Sequence, residues 1–491
     1  MYFFQASPYF GVIFVQLSFR NMDADDFLDE EVQSNVQRYE RMLRNKTREF
    51  FEAEALEDIC DYYIQKEKLK KALEVLYYGE ELFPNHIGFM VQKASVFLAM
   101  GKLEEALEIV ENAELYEPFN ADIALIKGEV FLNMNQDEKA EACFNKALLH
   151  TDDRPDVLFE IAYAYEETNH LEKSAEYFEL IVYENPELEQ AYHETANAYD
   201  LLGNYDKSIF YVNKLIDMDP YNTSAWYALG VIHTKIGDFE KSIDAFDYCL
   251  AIDEDYTAAR FNKANALVEL DKYEDAILEY QITIERDGPD AVTYCNLAGC
   301  LERMDRNIEA REFYKKATKL NPNIAEAWFG IGLTFEKEGQ LKEALHYIKR
   351  AVVLEQDNTE YLLVLGETEY KMNHIEEAIA CYQDIILLDP MMMEAWLDWS
   401  YVLFTENKQE ESADIVSKAL KLSPENHQLH YRMATYLYAM GKTKQAKVHL
   451  ETALSINFDD HFLIFEIMPQ LQNVSDILLL IAMYREKNEK L

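Results

Sequence analysis

The sequence predicts an all-α chain, a solenoid of about twelve stacked helix–turn–helix pairs closed at both ends by capping helices. Three observations predict it. A 34-residue pattern recurs from Ala53 to Asp460 without an insertion. Helix breakers are scarce, with 15 Gly and 11 Pro in 491 residues, and they return at fixed places in the pattern. At two positions of the pattern every copy is small, and at a third every copy is apolar or aromatic. A chain of this length exceeds what one conventional core can hold, but in a repeat array each copy packs only on its neighbours.

Residues 1–21 stand apart from all that follows. Tyr9 to Phe19 is a mostly apolar run, too short to span a bilayer. Its only nearby charge, Arg20, lies behind it, which does not suit a secretory signal. Met22 opens a stretch of very different character, so residues 1–21 are expected to be a mis-called extension ahead of the natural start, with a weak signal peptide as the alternative. Residues 22–52 are expected to form an N-terminal capping helix. Leu28, Val32, Val36, Tyr39 and Leu43, with Phe27, make one stripe. Acidic residues crowd its start, and Arg38, Arg41, Arg44, Lys46 and Arg48 gather near its end, as the helix dipole favours.

The repeats run over residues 53–460, numbered here 1 to 12. Position 32 is the stop, seen as Pro84, Pro118, Pro186, Pro220, Pro322, Pro390 and Pro424. Position 8, in the first helix, is small throughout (Cys60, Ala94, Gly128 and onward), as is position 20 in the second helix (Ala72, Ala106, Ala140 and onward). Small residues let two helix axes approach closely. Position 24 is large and apolar, as in Phe144, Phe246 and Tyr382, and is expected to fill the space they leave. Position 15 is Gly, Asn or Asp in every copy but the first, where it is Glu67. Those types tolerate the left-handed backbone that ends a helix in a tight turn.

This pattern resembles the tetratricopeptide repeat family. Pro220, Trp226, Gly230, Ser242 and Phe246 fall on the family's marked positions, and Trp328, Gly332, Phe335, Ala344 and Ala351 match best within one copy. Trp396 holds the same slot in repeat 11. The resemblance implies a right-handed superhelix with first helices on its concave face. It also implies a groove lined by positions 2, 5, 9, 12 and 13, with position 6 at its edge. After Asp460 the period fades. Residues 461–468 read as a first helix ended by Pro469, and a second runs from Ile477 to Lys487 behind a cap at Asn473 or Ser475. Leu480 sits where a small residue belongs, so residues 461–491 read as a degenerate repeat and C-terminal cap.

The net charge of −45 disfavours nucleic acid and an anionic membrane surface as partners. It serves either solubility or the attraction of basic segments. The six cysteines form no C-x-x-C pair, and Cys143 and Cys381 share one mostly apolar position. They read as buried thiols in a reducing compartment, which points to the cytoplasm. No phosphate-cradling loop, nucleophile elbow or H-E-x-x-H motif is present. His427 and His430 could share a helix face but lack a placed third ligand. No catalysis, cofactor or metal is expected.

The groove positions carry the functional reading. Repeats 4 and 5 offer Asp156, Glu160, Glu166, Glu167, Glu194 and Asp200 around Phe159, Tyr163, Tyr192 and His193. This is either ordinary acidity or a site for a Lys- or Arg-bearing segment. The middle repeats offer Asn197, Asn262, Asn265 and Asn296 beside Tyr227 and Phe261. Such amides suit an extended peptide backbone, and the alternative is a row of solvated side chains. Phe329 holds a groove position in repeat 9, and Leu363, Tyr370, Leu397, Tyr401, Phe404, Tyr431 and Tyr438 of repeats 10 to 12 make the most apolar stretch. It suits either an apolar partner or the C-terminal cap. Position 5 holds no Lys, so the family's clamp for chaperone C-termini is absent. The expected function is a non-enzymatic scaffold holding proteins or peptides with basic and apolar segments. A subunit of a fixed complex or homo-oligomer, and a regulator of a separate enzyme, are the alternatives, and the oligomeric state stays open.

Overall fold

The computed structural model describes residues 30–488. Residues 1–21, with Phe27 and Leu28 of the expected stripe, lie outside the described residues. The chain divides into two compact bodies, with the division between Ala266 and Leu267 inside the helix Thr257–Glu269. Among the described residues all regular structure is helical.

The helices keep step with the 34-residue pattern. The second helix of every repeat begins at position 17, from Leu69 to Thr443. First helices begin at position 1, except in repeat 4, which starts one residue early at Arg154. There Asp153 supplies the cap, its carboxylate accepting the amide of Asp156. Elsewhere Asn120, Asn222, Asp290, Asn358 and Asn426 at position 34 cap the helix that follows. All twelve position-15 residues have positive φ, Glu67 included at 55°. The turn geometry is therefore imposed by the repeat even where the residue type does not favour it.

The seam between paired helices is built as the small and large positions require. Every position-20 residue is fully buried. A Cβ added to Gly128 would stand 2.4 Å from Phe144, one on Gly230 2.5 Å from Phe246, and one on Gly332 2.6 Å from Ile348. Position 8 thus leaves the room that position 24 fills in the same repeat, and a larger residue would overpack it.

Successive repeats are tied by a contact that the pattern did not announce. In several repeats position 4 carries a donor such as tryptophan, and that side chain donates to the carbonyl at position 32 of the repeat before. Trp226, Trp328 and Trp396 do this through the indole N–H, at 2.9, 2.9 and 3.1 Å to Pro220, Pro322 and Pro390. Tyr192 does it through its hydroxyl and Arg260 through its guanidinium. In the N-terminal body the first helices of repeats 1 to 4 touch in succession, while their second helices make no comparable contact. The C-terminal body shows the same in repeats 8 and 9 and in repeats 10 to 12. First helices therefore form the closer-packed layer of each body.

At the N-terminal end, Glu30–Asn45 is a helix that packs on repeat 1 through Val36, Tyr39 and Met42. Leu43 is exposed, contrary to expectation, because the buried stripe turns through Met42 instead. The Tyr39 ring meets Phe51 edge-on, and Arg38 pairs with Glu49 at 2.9 Å. At the other end the expected first helix over 461–468 is broken. A 3-10 turn over Asp459–Phe462 precedes a short helix, Leu463–Ile467, and Pro469 starts a second 3-10 turn. The last helix, Ser475–Asn488, buries Ile477 and Ile481.

Candidate functional site

In the N-terminal body the first helices Arg154–Glu167 and Glu189–Leu201 carry the acidic and aromatic residues of repeats 4 and 5. Glu160 and Asn197 are exposed, and Tyr163, His193 and Glu194 are half-buried. The Tyr163 hydroxyl donates to Glu194 at 2.8 Å and so links neighbouring repeats. Phe159 is buried, its ring stacked 6.2 Å from Tyr163 and tilted against Phe178, so it backs the surface instead of forming it. Tyr192 also departs from expectation. It is buried with its hydroxyl turned to the Pro186 carbonyl, where the position-4 contact takes it. Asp200 pairs with Lys235 at 2.5 Å. Burial pushes the His193 imidazole below its ordinary value, which keeps the ring neutral.

Sequence reasoning missed one member of this group. Glu129 stands at position 9 of repeat 3, one repeat before the stretch that drew notice. Its carboxyl is pushed up to about 8, first by burial and then by Glu160 and Glu167. Its place in the register was the available signal.

The central residues are more enclosed than expected. Tyr227 and Asn262 are 7% and 5% exposed, and the Asn262 amide donates to the Tyr227 hydroxyl at 3.0 Å. The Tyr227 ring leans on Phe246 and Tyr256. One of the amide's donors is thus spent on the protein itself. Phe261 and Asn265, on the same helix, are half-buried.

In the C-terminal body Asn296 is half-buried and its amide reaches the Tyr280 hydroxyl. Phe329 is buried, stacked 4.3 Å from Tyr361. Leu363 and Tyr401 are half-buried, and Tyr401 meets Tyr370 edge-on. Of the expected apolar stretch, Leu397 lies inside the core, and Tyr431 and Tyr438 pack on the terminal cap with Ile464, Leu471, Ile477 and Ile481. Those two tyrosines serve the cap. The carboxyls of Glu326 and Asp398 are each pushed up to about 7. Burial dominates in both, followed by Glu355 and Glu360 for Glu326, and by Glu367 for Asp398. The Arg432 guanidinium acts against the shift of Asp398, and it lies 5.5 Å from the Tyr401 ring.

His427 and His430 do not converge. His427 faces Asp460 at 2.7 Å, while His430 meets the Pro424 carbonyl and His449. Among the described residues no group of three or more His, Cys, Asp or Glu could hold a metal ion, and no helix is long and apolar enough to cross a membrane. Five cysteines are buried and Cys143 is half-buried, all as free thiols. Burial pushes the Cys249 and Cys300 thiols up to about 12.

Family models described as tetratricopeptide repeat match residues 97–158, 155–188, 291–324, 313–346, 363–427 and 427–460. Three of these ranges, 155–188, 291–324 and 427–460, coincide with repeats 4, 8 and 12. The model described as anaphase-promoting complex, cyclosome, subunit 3 matches residues 201–281. No curated protein matches the chain significantly in sequence. Similar solved structures include that of YrrB, described as a TPR protein with an unusual peptide-binding site. It is 20% identical, covering 38% of this chain and 95% of that one, with a TM-score of 0.32. MamA is 25% identical, covering 34% and 97%, with a TM-score of 0.32. The APC/C hetero-tetramer Cut9–Hcn1 gives 13% identity, coverage of 83% and 87%, and a TM-score of 0.39.

Proposed function

Because the chain belongs to the tetratricopeptide repeat family, we propose that it is a non-enzymatic scaffold holding partner proteins or peptides against its first-helix layer, with repeats 3 to 5 receiving a Lys- or Arg-bearing segment. One observation carries the second clause: burial pushes the Glu129 carboxyl up to about 8, and the nearby Glu160 and Glu167 add to that shift, so three carboxyl groups share one partly enclosed place. An ammonium or guanidinium entering among them offsets their repulsion and draws off the proton. Tyr163, half-buried and bonded to Glu194, lies within a helical turn of Glu160 and Glu167 on the same helix, and its ring is the one proposed for a cation–π contact.

The test is affinity capture with mass spectrometry, comparing wild type with Glu160→Lys/Asn197→Ala, both of which alter exposed side chains. A partner held here is expected to be lost from the variant and released as salt rises. A folded variant that keeps every partner at every salt concentration would sink the reading. Tyr227 and Asn262 are poorer probes, because their burial ties them to the fold. The free, mostly buried thiols support placing the chain in a reducing compartment such as the cytoplasm.

A second reading, a subunit of a fixed complex, rests on the match of residues 201–281 to the anaphase-promoting complex subunit 3 model. Size in solution separates the two. A monomer of 57.4 kDa favours the scaffold, and a stable stoichiometric assembly favours the subunit.

A further inference from the structure

A second surface lies at the C-terminal ends of second helices in the N-terminal body. Leu115, Leu149 and Tyr183 occupy position 29 of repeats 2, 3 and 4 and are 80%, 78% and 84% exposed. Phe119, 70% exposed, lays its ring 5.1 Å from that of His150, the residue after Leu149, which joins the first two copies into one patch.

The fold does not ask for apolar residues here. The same position is Glu81 in repeat 1, Asp217 in repeat 5, Glu285 in repeat 7, Lys319 in repeat 8 and Lys421 in repeat 11, and it is Ala251, Val353, Leu387 and Ser455 in repeats 6, 9, 10 and 12. Each of these lies at or near the end of an equivalent second helix, ahead of the same turn. A single exposed leucine needs no explanation. Three large apolar side chains at one register position of successive repeats, where five of the other nine copies carry charge, mark a candidate contact surface. Its rim is anionic. Glu117, Asp152, Asp153 and Glu187 are exposed, while the nearby Arg154 is held by Glu184 in a two-pronged pair at 2.9–3.2 Å. A second copy of this chain would press such a rim against one of the same sign, on a molecule of net charge −45.

We propose that this ridge docks a partner segment whose apolar side chains are flanked by Lys or Arg. The inference does not depend on the first-helix reading, since it concerns other helices and other residues.

The test uses two synthetic helical peptides of equal positive charge, one with a leucine stripe flanked by lysines and one with alanines in place of the leucines. They are titrated against the full chain and against Leu115→Glu/Leu149→Glu/Tyr183→Asp, with hydrogen exchange mapping the contact. The variant is expected to keep the wild-type Tm, because it installs residue types found at this position in other repeats. The leucine peptide is expected to bind wild type about tenfold more tightly than the variant and to slow exchange at the ends of helices Leu103–Tyr116, Asp137–His150 and Leu171–Glu184. The alanine peptide is expected to bind the variant no more weakly than wild type, since the added carboxylates attract its lysines. Equal affinity of the leucine peptide for both proteins, or protection confined to first helices, overturns the proposal. Concentration-dependent dimerisation lost in the variant would assign the ridge to a second copy. Protection of the ridge that disappears on deleting residues 1–21 would assign it to the chain's own apolar run. Either result overturns the proposal as well. Should the triple variant fail to fold, Leu149→Glu alone reads the same contrast.

Discussion

Repeats 3 to 5 and repeats 10 to 12 present first helices on the same 34-residue frame, yet their carboxylates are managed differently. Burial and two like charges, Glu160 and Glu167, act together on Glu129 and hold its proton. Burial and Glu367 act on Asp398, but Arg432 and Lys371 act against them. Lys371 in turn pairs with Glu336 at 2.6 Å. The aromatic residues divide likewise. Tyr163 stays at the surface bonded to a carboxylate, while Tyr431 is sealed under the terminal cap with its hydroxyl donating to the Asn457 carbonyl at 2.7 Å. The seam beneath is common to both regions, since Phe144 and Tyr382 are buried against Gly128 and Gly366. The repeat therefore separates two tasks. Positions 8, 20 and 24 hold helices together and vary little in character, while positions facing away are free to take on local chemistry.

The largest effect is expected where the two regions are alike. Phe144→Ala and Tyr382→Ala should each cost about 3–5 kcal/mol, since each leaves a cavity beside a glycine that cannot fill it. Hydrogen exchange, read repeat by repeat, is the suitable measurement, because long arrays do not always unfold as one unit. If one of the two substitutions is nearly neutral, the seam is not shared.

A smaller effect should distinguish the regions. The folded-state pKa of Glu129 lies above the ordinary carboxylate range, so the native chain holds this proton more tightly than the unfolded chain. The resulting stability is complete below about pH 4 and is lost as pH rises through about 8. Glu129→Gln should therefore be more stable than wild type at pH 8.5, by about 1–2 kcal/mol after allowance for solvent screening, with the difference vanishing toward pH 4. Urea denaturation at the two pH values checks this, and a pH-independent difference would place the shift elsewhere. In the C-terminal body Arg432→Ala should cost about 1 kcal/mol at pH 7, through the lost contact with the Tyr401 ring and the loss of its charge beside Asp398. A neutral result would mean that Lys371 alone balances the group.

The smallest effect tests the frame itself. Glu67 holds a φ of 55° at a position where the other copies are Gly, Asn or Asp. Glu67→Gly should stabilise repeat 1 by up to about 1 kcal/mol, as relief of the left-handed strain outweighs the added freedom of the unfolded chain. Thermal unfolding with exchange on helix Ala53–Gln65 is the readout, and a loss of stability would show that the Glu67 side chain makes up for its backbone.

The frame was legible because each of its rules repeats. A small residue at position 20 means little once, but twelve in register specify a close helix crossing, and all twelve are buried. The candidate site was legible only in part. Glu160, Tyr163, Glu194 and Asn197 were located by register, and the same register could have located Glu129. What register cannot convey is enclosure. Phe159, Tyr227 and Asn262 hold groove positions, but rings and hydroxyls from neighbouring helices close over them, and those neighbours differ from repeat to repeat. The same holds for position 4, where tryptophan marks the pattern but the receiving carbonyl lies in the repeat before.

By itself the sequence determined the all-helical repeat, its period, the turn residues, the seam between paired helices and the acidic character of the surface. Each is a property of one position relative to its own repeat, set by side-chain size, backbone freedom or charge. The tertiary structure decided which carboxylates crowd one another, which aromatic residues face outward and which are spent on the terminal cap. It also showed that Leu115, Leu149 and Tyr183, at one register position of successive repeats, are all exposed. Those properties arise between repeats, where residues 30 or more positions apart come within a few ångströms, and no local rule of the chain encodes that meeting.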